Sequence, residues 1–156
     1  AYGGARWNAS QGESRYRRSL YTFMKRTAPF AAYLAFDGPT GEQCLPRRDR
    51  SNTPIQALTL LNDEMFIEAA RAIAAQLKGT TAEQLDMLYQ RILTRLPQEE
   101  ERKALLQFYE NQLARLSAGD LDAAEILPGQ SGNNQRAAMA MLARAIYNLD
   151  EAITRE

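Results

Sequence analysis

Histidine is absent from this chain of 156 residues. That excludes Ser-His-Asp and Cys-His catalysis, His-ligated zinc, and an imidazole working as acid or base near neutral pH. Cysteine occurs once, at Cys44, so there is no internal disulfide and no Cys-x-x-Cys-His haem attachment. Also missing is an apolar run approaching the roughly 20 residues of a membrane span. The chain opens on Ala1-Tyr2-Gly3-Gly4, with neither Met nor the apolar core of a signal peptide, and is expected to be a piece of a longer protein. Net charge is zero, nineteen Lys/Arg against nineteen Asp/Glu. The balance hides an asymmetry. Residues 1–62 hold nine basic side chains against four acidic, a net +5, and residues 63–156 hold ten against fifteen, a net −5. Such a division suits either an acidic partner for the first part or attraction between the two parts.

What is present fits a globular chain, 45% hydrophobic and 24% charged, of a length expected to form one domain over residues 1–156. Eight of the thirteen aromatic residues precede residue 37. There they interleave with basic groups: Arg15, Tyr16, Arg17, Arg18, Tyr21, Phe23, Lys25 and Arg26. The block closes on Arg47-Arg48-Asp49-Arg50-Ser51-Asn52-Thr53-Pro54. A plain helical bundle needs no such density of guanidinium, ring and amide groups, so the block is either a polar scaffold or a recognition surface.

The pattern predicts an all-α bundle of about five helices behind an irregular, Arg/aromatic-rich N-terminal third. Residues 14–27 read as a helix capped by Ser14, although alternation there fits a strand nearly as well. Residues 28–52 contain Pro29, Gly38-Pro39, Gly41 and Pro46 and read as turns and extended chain. Thr53-Pro54-Ile55-Gln56 is a capping box with proline at the first helical position. It opens an apolar stripe running from Ile55 and Leu58 to Leu77, with a restart expected at Asn62-Asp63. Thr81-Ala82-Glu83-Gln84 reads as a second box, Leu85 to Leu96 as its helix, and Pro97 as the stop before a helix led by Glu99, Glu100 and Glu101. A polar loop over 117–134, holding one turn near 121–127, precedes a last helix over 134–152 with Met139, Leu142, Ala145, Ile146 and Leu149 inward.

Ser19-Leu20-Tyr21-Thr22-Phe23-Met24-Lys25-Arg26-Thr27, Phe36-Asp37-Gly38-Pro39, the run from Arg47 to Asp63 and the ending Asn148 to Glu156 together are similar to a planctomycete-type C-terminal domain of unknown function, DUF1553. The resemblance extends over nearly the whole chain. It implies the C-terminal fragment of a larger exported bacterial protein, periplasmic or extracellular, and supplies no reaction.

Candidate residues fall into three sets. Arg17, Arg18, Arg26, Arg47, Arg48, Arg50 and Asn52 are the candidate binding residues, because guanidinium forks suit carboxylate, sulfate or phosphate. The rival reading pairs the arginines with Asp37, Glu42, Asp49 and Asp63 as scaffold. Trp7, Tyr16 and Tyr21 are the candidate partner contacts, since Arg and aromatic groups dominate interface energetics. Asp37 and Glu42 are the alternative catalytic carboxylates of a polysaccharide-processing or glycan-binding domain. No metal site and no cofactor are expected. The expected function is a non-catalytic interaction or structural module. It would engage upstream domains of the parent protein or another protein. An anionic glycan is the other ligand class; nucleic acid is disfavoured by the neutral charge.

Overall fold

The structure is a computed structural model, which describes residues 10–22, 29, 31–39, 46, 51–129 and 132–154. The chain divides into two compact units, Ala1–Arg50 and Ser51–Glu156. The described residues form eight α-helices and no strand, and five of the helices exceed seven residues. The all-α expectation and its helix number hold.

In the first unit, the helix expected over 14–27 is replaced by two short 3₁₀ turns, Gly12–Tyr16 and Ser19–Tyr21, with Arg17 extended between them. The reason is packing. A short helix needs a buried face to offset its nucleation cost, and Leu20, its leading apolar residue, is exposed. Residues 23–27 of that expectation lie outside the described residues. Within the stretch read as irregular, α1 forms over Ala31–Ala35. Its end is a Schellman-type turn: Asp37 takes the left-handed conformation at φ 53°, and the Gly38 N–H donates to the Tyr33 carbonyl at 2.6 Å. A Cβ on Gly38 would sit 2.7 Å from that carbonyl oxygen, so glycine is required by the close approach. The Tyr33 and Thr22 hydroxyls are 3.0 Å apart and link α1 to the second 3₁₀ turn.

The second unit begins as the sequence predicts. Thr53 caps α2 (Pro54–Asn62), its hydroxyl accepting from the Gln56 N–H while the Gln56 side chain accepts from the Thr53 N–H. The buried Gln56 also donates to Ser51. Asp63 ends α2 in an extended conformation and caps α3 (Glu64–Gln76) through the Met65 N–H, so the restart falls where it was expected. The second capping box is shifted by one residue. Thr80, not Thr81, caps α4 (Thr81–Leu93), with Glu83 reaching back to the Thr80 N–H and hydroxyl. That helix stops at Leu93, short of the expected Leu96, where Thr94 turns left-handed at φ 64°. Then come α5 (Glu99–Ala118), α6 (Ala123–Ile126), α7 (Asn134–Tyr147) and α8 (Asp150–Ile153). The last helix was expected unbroken to 152; it breaks at Asn148-Leu149, and Leu149 is exposed rather than inward.

The core lies around α7, whose main neighbours are α3 and α5. Ala137, Ala138, Ala140 and Ala143 are all buried there, together with Met139, Leu142 and Ile146. Small side chains on a central helix let its neighbours approach closely, and each large apolar group buried between them contributes about 1.5–3 kcal/mol. Leu85, Leu88, Tyr89 and Leu93 of α4 and Tyr109 and Leu116 of α5 complete the cluster. Two arginines close open helix ends. Arg71 donates to the Ile126 and Glu125 carbonyls at 2.5 and 3.1 Å, and Arg144 donates to the Leu61 carbonyl at the end of α2. No helix among the described residues is long and apolar enough to cross a membrane.

Candidate functional site

Of the candidate binding and contact residues, Arg26, Arg47, Arg48, Arg50 and Trp7 lie outside the described residues, as does Glu42 of the carboxylate pair. Those that are described fall in two places. The first is the segment from Tyr16 to Tyr21 in the N-terminal unit. Arg17 and Arg18 are exposed there, and so are Tyr16, Leu20 and Tyr21, at 64%, 84% and 68% of their maximal surface. Two rings and a leucine are thus exposed within the same six-residue stretch as two guanidinium groups. Asp37 is placed at the left-handed residue that ends α1, a position Asp tolerates better than most residues. It therefore has a turn-forming role whatever its carboxylate meets.

The second place is the start of the helical unit. Asn52 donates through Nδ2 to Asp150 Oδ1 at 2.6 Å, reaching 98 residues along the chain. This candidate binding residue thus has its amide engaged by a side chain at the first residue of α8. Thr154 donates to the same Asp150 carboxylate and to the Asp150 carbonyl. The clasp ties the entry of α2 to the last helix.

Sequence reasoning missed the densest polar cluster, at the corner of α4, α5 and α8. Arg95 lies in the short link after α4, and its guanidinium carbon is 5.1 Å from the centre of the Tyr89 ring. Its Nη1 donates to Glu101 Oε2 at 2.8 Å and to the Leu96 carbonyl at 3.3 Å. Its Nη2 donates to Glu101 Oε1 and Glu151 Oε2 at 2.7 and 2.6 Å, and its Nε to Glu151 Oε1 at 2.7 Å. A guanidinium has five N–H donors, and all five are used. Glu101 also accepts from the Tyr89 hydroxyl at 2.8 Å and from the Gln98 N–H at 2.7 Å, which ties the cluster to the N-cap of α5.

The electrostatics follow from these bonds. The Arg95 hydrogen bonds, then the Gln98 N–H, hold Glu101 down to about 2, and Arg95 likewise lowers Glu151. Burial, then the bond to Glu101, pushes Tyr89 up to about 12. Neither group changes charge near pH 7, where a general acid or base must be poised. No donor is left for an anionic ligand. The cluster is a strut that fastens three helices. One signal was legible in principle: Gln98-x-x-Glu101 obeys the capping-box spacing, but the loop position of Arg95 and the distance to Glu151 hide the rest. Among the described residues no group of three or more His, Cys, Asp or Glu side chains is arranged to hold a metal ion.

The described residues define an all-α fold, with a saturated polar corner in the helical unit and a basic, aromatic segment in the N-terminal one. The chain belongs to the family described as PSD1, protein of unknown function (DUF1553), whose model matches residues 3–109. The matched stretch ends within α5, so the likeness seen in the closing residues 148–156 lies beyond it. No curated protein and no solved structure matches the chain.

Proposed function

We propose that this chain is a non-catalytic helical interaction module of a larger exported bacterial protein. It binds an acidic protein surface with apolar pockets through the Tyr16–Tyr21 segment. The observation that carries this reading is the exposure of Tyr16, Leu20 and Tyr21 together, flanked by Arg17 and Arg18. Rings supply contact area at low entropic cost, guanidinium groups supply planar donors, and the +5 charge of residues 1–62 steers an acidic partner toward them. The saturated Arg95 corner supports the non-catalytic part of the reading. Export, and a C-terminal place in a planctomycete-type protein, rest on the sequence resemblance.

The test is a photo-cross-linking residue at position 16 or 21 of the parent protein in its native host. A discrete adduct is expected, mapped by mass spectrometry to an acidic protein segment and lost when Arg17 and Arg18 become Glu. No adduct at either position overturns protein docking. Saturable binding of sulfated or uronic glycans, lost on Arg17→Ala and without any adduct, would replace it with the glycan reading, in which Asp37 and Glu42 were the alternative carboxylates.

A further inference from the structure

Two helices of the helical unit are a single turn long, α6 (Ala123–Ile126) and α8 (Asp150–Ile153), and they are held in opposite ways. One turn is not stable alone in water, so each persists through what it packs against. Burial holds α6: Ala123 and the Leu127 that follows it lie in the core, and Arg71 donates to its last two carbonyls. By contrast, α8 contains no buried residue. It neighbours α4 and α7, and its Ala152 meets the core as a partly buried methyl. Its ties are polar. Asn52 donates to Asp150, and Arg95 donates to both oxygens of Glu151 through Nε and Nη2. Asn52, Asp150 and Glu151 are all exposed, where water and salt compete for such bonds and each contributes little. The Thr154 bonds to Asp150 lie within the turn itself and move with it.

We infer that α8 is a detachable strap, which opens as a unit about Leu149 while α2 to α7 stay folded and so uncovers the part of α4 and α7 on which it rests. The joint suits such a movement: Leu149 is extended between the two helices, and its side chain is exposed. The two anchors also survive the opening. Arg95 keeps both oxygens of Glu101, which is fixed in turn by the Tyr89 hydroxyl and the Gln98 N–H. At the other anchor, the buried Gln56 still holds Ser51 and the Thr53 N–H on either side of Asn52. The Arg95 corner therefore has a permanent arm to α5 and a releasable arm to α8. Local opening at so few buried contacts costs less than unfolding the unit, and it needs no change in the core.

Amide hydrogen exchange resolved residue by residue by NMR, with and without about 0.5 M salt, tests this. The reporters are the Ala152 and Thr154 N–H groups, whose bonds to the Leu149 and Asp150 carbonyls lie inside the strap. They are expected to exchange faster than the amides of α6 and α7, and faster still with salt. Glu151→Gln and Asn52→Ala should each speed that exchange by up to about fivefold, with the rates in α6 and α7 unchanged. Glu151→Gln should also abolish most of the salt response, since it removes the charged arm. Three results overturn the inference. Exchange in α8 as slow as in α7 would make it part of the core. Acceleration of α6 and α7 along with α8 would mean that the ties stabilise the whole unit. Rapid exchange in α8 that neither substitution alters would mean a frayed turn with no latch.

Discussion

Arg95 spends all five donors on Glu101, Glu151 and the Leu96 carbonyl, and this makes the stability of the helical unit depend on pH in two separate windows. Glu101 falls from its ordinary 4.5 to about 2 on folding. Its stabilising effect is complete above the unfolded value and is lost as the pH drops from about 4.5 to about 2. Glu101→Gln should therefore lower stability at pH 7 and flatten the acid limb of a midpoint-versus-pH curve. Superposable acid limbs would mean that other carboxylates govern acid unfolding. Tyr89 moves the other way, from 10 to about 12. The neutral phenol is the form favoured by the fold, so this contribution is present below pH 10 and disappears between about 10 and about 12. Tyr89→Phe should flatten the alkaline limb at a neutral-pH cost of about 1.5–3 kcal/mol, the worth of a hydrogen bond to a charged acceptor. Urea titrations at pH 7, 10 and 11.5 would read both effects.

Helix ends divide into those that local chemistry dictates and those that it leaves open. Thr80 supplies a reciprocal cap to α4, and Thr80→Ala should cost about 1 kcal/mol in a urea titration. At the other end of the same helix Thr94 is a β-branched residue in the left-handed region. Its conformational cost of about 1–2 kcal/mol is only partly offset by glycine's greater freedom when unfolded, so Thr94→Gly should stabilise by about 0.5–1 kcal/mol. A lower midpoint for Thr94→Gly would show that the threonine side chain makes a compensating contact. These ends also show what the sequence reveals. Thr53-x-x-Gln56 and the Asp63 restart were legible because capping is a matter of spacing over four residues. Thr80 and Thr81 offer two overlapping boxes, Thr80-x-x-Glu83 and Thr81-x-x-Gln84, and spacing cannot choose between them. Residues 14–22 were misread because Leu20, the leading apolar residue of their helical pattern, finds no buried face. The Arg95 corner was missed because its partners arrive from 6 and 56 residues away, and only the packing of α4, α5 and α8 brings them together. Ile55 and Leu58 fit the helical stripe by period yet point outward, which periodicity alone cannot reveal.

At the scale of the whole molecule, every described buried residue lies between Gln56 and Ile146. The described residues of the N-terminal unit include none, so the described buried contacts belong to the C-terminal one. Within it, the alanine-lined α7 sets how closely the neighbouring helices approach. Ala143→Leu adds three carbons where no surface is exposed, and should cost about 1–3 kcal/mol, more if the helices cannot separate. Residues 51–156 produced alone should keep their helical circular dichroism and unfold in one transition, with a midpoint within a few degrees of the whole chain. The clasp from Asn52 to Asp150 lies wholly inside this segment, as do all the bonds of the Arg95 corner, so nothing described that holds the helices together is cut away. A broad, non-cooperative melt from the shortened chain would instead show that the first fifty residues help to complete the core. In that event the basic, aromatic segment is scaffold before it is surface, and the docking reading would have to be rebuilt on residues outside it.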